Sequence, residues 1–98
     1  MDTETMVKDI RFILRLTNEV FDAEIKALVE ACKQDLKIAG VVSLETSNPL
    51  FFQAVTLYCK GFFGFADMGD KYINSYESLK TVLALTYGVP VQGGESSV

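Results

Sequence analysis

The side chains able to do chemistry fall into three groups: Cys32 and Cys59; Asp67 and Asp70 in "DMGD"; and Lys8, Arg11 and Arg15. A cysteine attacks as its thiolate and needs a neighbouring base or cation to form it. Neither cysteine sits in a CxxC pair, and the chain has no histidine, so both read as small buried hydrophobes. The same lack of histidine removes the commonest general base and metal ligand. Two carboxylates three residues apart in a glycine-containing loop could touch a divalent cation, but they fall far short of a calcium loop and read as a turn. "GFFG" has the GxxG spacing of some RNA-clamping loops. Its neighbours are apolar rather than basic, so helix packing through small residues is the better reading. No catalytic residue, metal ligand or cofactor is expected.

The cations are a different kind of signal. Lys8, Arg11 and Arg15 recur at steps of three and four and share one face of the first expected helix. The plain reading is a solvated face pairing with Asp9 or with acids of the next helix. The functional readings are an acidic protein surface or, less favoured, a phosphate backbone. A second signal is aromatic: Phe51, Phe52, Tyr58, Phe62, Phe63 and Phe65 crowd one segment. A core can hide some of them. The segment is apolar on nearly every side, so Phe51, Phe62, Phe63 and Phe65 are candidates to face a neighbouring subunit.

The elements that must position these groups are helices. Val7, Ile10 and Leu14 mark a helix from about Thr5 to Leu16, with Met6, Phe12 and Ile13 widening its apolar face. Thr17 and Asn18 offer caps at the break that follows. From Val20 to Ala39 the stripe Phe21, Ile25, Leu28, Val29, Cys32, Leu36, Ala39 predicts an amphipathic helix, closed by Gly40 as C′ residue. Its acids Glu19, Asp22 and Glu24 precede its bases Lys33 and Lys37, which suits the helix dipole, and Asp22 and Lys26 stand four apart. "VVSLETS" is a connector with some strand propensity. Asn48 and Pro49 then open a third, greasy helix, with Gln53, Thr56 and Lys60 marking its solvent side. "ADMGDKYINS" reads as a polar loop, with Asn74 and Glu77 as a capping box for a last helix over 75–87 that buries Tyr76, Leu79, Val82 and Leu83. Gly88 and Pro90 stop it, and residues 89–98 read as a flexible tail.

The totals agree with one helical domain over residues 1–88. A chain of 98 residues can bury a modest core without disulfides. Nine basic against 13 acidic residues give a net charge of −4, a poor match for gripping phosphates. The acidic N-terminus is the wrong opening for a secretory signal, so a reducing compartment is expected. The apolar run Leu50–Ala66 is short of the roughly 20 residues of a membrane span and carries Lys60 past its middle. The expected fold is an all-α bundle of about four helices.

That layout resembles the tailed-bacteriophage head–tail connector proteins, the head-completion adaptors also grouped with phage DNA-packaging proteins. The resemblance runs over about residues 5–88. It rests on "VKDIRFILRLT", with Val7, Lys8, Ile10, Leu14, Arg15, Leu16 and Thr17; on Asp22, Ile25, Leu28, Val29, Ala31 and Cys32; and on Gly40 and Pro49. Cys32 stands where the pattern has a small residue, and "GFFGFADMGD" replaces a more charged stretch. The resemblance implies a non-enzymatic virion protein at the head–tail junction, made in the host cytoplasm. It implies a ring of copies under the portal protein, a downstream connector or tail-completion protein as the other neighbour, and DNA passing without specific binding. The alternative is a small cytoplasmic helical adaptor or regulator with a single protein partner.

Overall fold

Asp2 starts the first helix: its carboxylate accepts a hydrogen bond from the Thr5 backbone N–H at 2.8 Å, satisfying one orphan donor of the first turn. That bond holds the Asp2 carboxyl below its ordinary value. The computed structural model describes residues 2–88, so the expected tail lies outside the described residues. Four α-helices follow one another: α1 (Thr3–Ile13), α2 (Asp22–Ile38), α3 (Pro49–Phe63) and α4 (Gly69–Tyr87). Short 3-10 turns at Glu19–Phe21 and Phe65–Asp67 precede α2 and α4. The all-α expectation holds.

The helix ends follow local rules. α1 stops in a Schellman motif: Leu16 N–H donates to the Arg11 carbonyl at 3.1 Å and Arg15 N–H to the Phe12 carbonyl at 3.0 Å. Arg15 holds the left-handed conformation at φ 62°, a place glycine usually fills. α2 ends the same way with the expected Gly40 at φ 97°, and Val41 N–H donates to the Leu36 carbonyl at 2.9 Å. Asn48 caps α3 through Leu50 N–H at 2.8 Å, and Pro49 is its first residue. The connector is held to the end of α4. Val41 bridges Gly88, Ser43 Oγ donates to the Tyr87 carbonyl at 2.8 Å, and Asn48 Nδ2 donates to the Tyr87 hydroxyl at 3.2 Å. Its strand propensity yields that one antiparallel bridge and no strand among the described residues.

Successive helices run antiparallel. Thr3, at the start of α1, accepts from Lys33 Nζ of α2 at 2.9 Å, and Arg11, near its end, reaches Asp22 at the start of α2. Phe63, closing α3, meets Phe21 edge-on at 6.0 Å. α2 and α3 form the middle, α1 packs mainly on α2, and α4 mainly on α3. The core takes Met6, Val7, Ile10 and Leu14 from α1, and Ile25, Val29, Cys32 and Leu36 from α2. From α3 it takes Phe51, Ala54, Val55 and Cys59; α4 adds Tyr76 and Leu83.

Two expectations about α4 fail. The helix begins at Gly69, so Asn74 and Glu77 lie inside it rather than capping it. Packing extends it: a Cβ on Gly61 of α3 would collide with the Ile73 side chain, and one on Gly69 would stand 2.9 Å from the Gly61 carbonyl oxygen. The "GFFG" stretch thus serves close helix packing. Val82, expected inside, is exposed, because α4 buries one narrow side against α3.

Candidate interaction surfaces

The three cations are not one stripe. Arg11, in the last turn of α1, has a side chain only 19% exposed. Its Nη1 lies 3.3 Å from Asp22 Oδ2 and 3.7 Å from Glu19 Oε2. It therefore links α1 to the start of α2, and Asp22 pairs with it across helices rather than along α2 with Lys26. Lys8 and Arg15 are exposed and make no ion pair among the described residues. Arg15 has left the helix at its left-handed turn. A shallow groove of about 420 Å³, lined in part by Glu4, Lys8, Arg11, Asp22 and Lys26, runs along this junction. One Asp22 carboxylate oxygen is buried there without a hydrogen-bond partner among the described residues.

The four candidate phenylalanines also separate. Phe51 is in the core and presents nothing to a neighbour. Phe62 is 60% exposed, its ring 4.7 Å from that of Tyr58. Phe63 is half-buried against Phe21, and Phe65 is half-buried with Tyr72. Lys60, expected on the solvent side, lies over the Phe65 and Tyr72 rings at 5.4 and 5.2 Å. The Thr56 hydroxyl is buried with no partner among the described residues.

Sequence reasoning missed a groove of about 620 Å³ between α2 and α3, lined by Phe21, Glu24, Ala27, Leu28, Phe62 and Phe63 among others. Phe12, expected to widen the apolar face of α1, is instead 84% exposed. The signal was available. At about 100° per residue, Phe12 falls roughly 180° from the mean direction of Met6, Val7, Ile10 and Leu14.

The polar cluster with the most connections is structural. Cys32 Sγ–H donates to the Tyr76 hydroxyl at 3.7 Å; that hydroxyl donates to Asp35 Oδ2 at 2.6 Å; Lys80 Nζ donates to the same oxygen at 3.0 Å. Burial pushes the Cys32 thiol up to about 12, although the Tyr76 bond opposes it. Burial, helped by Cys32, pushes Cys59 up to about 12. Both thiols are free and stay protonated, the opposite of an activated nucleophile. Burial also raises the Tyr76 phenol. Partial burial would raise the Asp35 carboxyl, but hydrogen bonds from Tyr76 and Lys80 outweigh it and hold it below its ordinary value. No cluster of three or more metal-ligating side chains occurs among the described residues. No described helix is long and apolar enough to cross a membrane.

The described residues form a small helical bundle with exposed apolar and charged surfaces and one connected polar cluster, Cys32–Tyr76–Asp35–Lys80. The family model for phage connector proteins matches residues 6–90, and the chain belongs to that family. No curated protein and no solved structure matches it. Membership makes it a phage structural component whose partners are other virion proteins.

Proposed function

We propose that this chain is a head–tail connector subunit: copies form a closed ring under the portal protein, continue the DNA channel, and present a surface to the next connector or tail-completion protein. The match to the phage connector family over residues 6–90 carries this reading. Two properties support it. A net charge of −4 lets DNA pass without tight phosphate contacts. Apolar residues stand exposed at both ends of the bundle: Phe12, Phe62 and Met68 at one, Ile38, Val42 and Leu85 at the other. A subunit between two different neighbours needs distinct surfaces of this kind. The reading includes no catalytic step; the thiols that could have provided a nucleophile are buried and protonated.

The test is gel filtration with light scattering over a concentration series, with negative-stain images, repeated with the portal protein of the same phage. Closed rings of roughly a dozen copies, alone or on the portal, are the expected result. A chain that stays monomeric and ignores the portal would overturn the ring and leave the single-partner adaptor reading.

A further inference from the structure

We propose that the contact between neighbouring copies in the ring is made by Phe12 of one copy seated in the Phe21–Leu28–Phe62–Phe63 groove of the next, with Lys8 and Arg15 of the first copy meeting Glu24 of the second. The proposal rests on the ring reading above and names the partner of the groove as a second copy of this chain.

Each feature lacks what the other supplies. Phe12 is 84% exposed and faces directly away from the core. The exposed cations Lys8 and Arg15 lie four residues before it and three after, unpaired among the described residues. The groove, at about 620 Å³, is apolar except for Glu24, and that carboxylate has no ion pair among the described residues. An aromatic anchor in an apolar pocket with opposite charges at its rim is a common arrangement of binding hot spots. The exposed residues Ala27 and Ala31 of α2 keep the floor of the groove low, so another helix can come close.

The position of the two features selects the assembly. Phe12 stands at the end of α1, and Phe21 and Phe63 stand at the start of α2 and the end of α3; antiparallel packing puts all of them at one end of the bundle. On α2, the residues that meet α1 (Asp22, Glu30, Lys33) and those that line the groove (Glu24, Leu28, Ala31) fall on nearly opposite sides of the helix. Phe12 and the groove thus look out from different flanks at the same height. Copies related by rotation touch at equal height along the ring axis, so this heterologous pairing is compatible with a closed ring. Pairing the two opposite ends of the bundle would instead stack copies head to tail. The apolar residues of the other end, Ile38, Val42 and Leu85, remain free for a neighbour above or below.

The test is site-directed crosslinking across a concentration series, with and without the portal protein. Phe12→Cys and Phe62→Cys are placed in separate chains, mixed and mildly oxidised. The native thiols are buried and do not compete. The expected product is a mixed dimer that does not grow, and the double variant in one chain gives a ladder ending in a closed species. In scattering, Phe12→Glu and Phe62→Glu each abolish self-assembly and together form one dimer, because each keeps the face the other has lost. Glu24→Lys weakens assembly roughly threefold, and Lys8→Glu on the partner restores it. Circular dichroism verifies that each variant is folded. Rings in the wild type with no mixed crosslink would overturn the contact and leave the ring standing. Crosslinks confined to identical positions would mean an isologous dimer and overturn it too. Absence of both assembly and crosslink would remove the ring and the contact together.

Discussion

Phe51 and Phe62 stand on the same helix, three turns apart, with the same side chain and similarly apolar neighbours. Phe51 faces the connector and the last turns of α2, where Leu36, Val41 and Leu44 close over it. Phe62 lines the open groove between α2 and α3, stays 60% exposed, and has the Tyr58 ring beside it. The two halves of α3 differ in what the rest of the chain brings to them. Apolar content therefore does not mark an interface; apolar content left uncovered after folding does.

The largest expected effect tests that contrast directly. Phe51→Ala should cost about 3–5 kcal/mol in urea unfolding, the usual cost of truncating a buried phenylalanine. Phe62→Ala should cost only about 1 kcal/mol, the scale of one aromatic pair. Equal costs would erase the distinction between the halves. Next comes the crossing that fixes the second half against α4. Gly69→Ala forces a methyl onto the Gly61 carbonyl, so a loss of about 1–3 kcal/mol is expected.

The middle of α3 borders the polar cluster on α2 and α4, since the Tyr58 ring lies 5.0 Å from that of Tyr76. Tyr76→Phe removes the donor to Asp35 and should cost about 1–2 kcal/mol at neutral pH. The cluster also gives stability a sign at each pH extreme. The Asp35 carboxyl is held below its ordinary 3.8, so its contribution is present above that value and is lost as acid titrates the folded state. The Lys80 ammonium is held above its ordinary 10.5 by Glu77 and Asp35, which outweigh its partial burial. Its contribution is present below that value and lost as pH rises through the folded one. Asp35→Asn should flatten the acid limb of a stability–pH curve measured by thermal unfolding. The smallest effect is chemical: Cys32 and Cys59, pushed up to about 12, should resist thiol reagents at pH 8 until denaturant is added. Rapid labelling of Cys59 in the native protein would show that the centre of α3 opens.

Sequence spacing was enough for α1, α2 and α4, whose apolar residues recur at helical period, while α3, apolar on nearly every side, was marked by its start signal. Asn48–Pro49, Gly40 and Gly88 mark boundaries with their own backbones. Those signals are short-range, so they survive without the fold. The candidate surfaces were less legible. Lys8, Arg11 and Arg15 read as equivalent from spacing alone, yet Arg11 is taken by Asp22, and Arg15 by a left-handed turn that ends the helix before it. Phe51 and Phe62 read alike for the same reason. Which aromatic is covered depends on segments distant in sequence.

The sequence by itself determined the helical class, the order and approximate extent of the elements, the acidic charge and the absence of histidine chemistry. All are properties of composition or of neighbours within a few turns. The tertiary structure alone decided that α4 starts at Gly69, because Gly61 of α3 leaves room for Ile73 and Gly69 itself packs against the Gly61 carbonyl. It alone separated the arginine that joins two helices from the cations left free, and the phenylalanine that fills the core from those that stay outside. A side chain's partner is fixed only when distant segments meet, and pairing, burial and exposure are properties of that meeting.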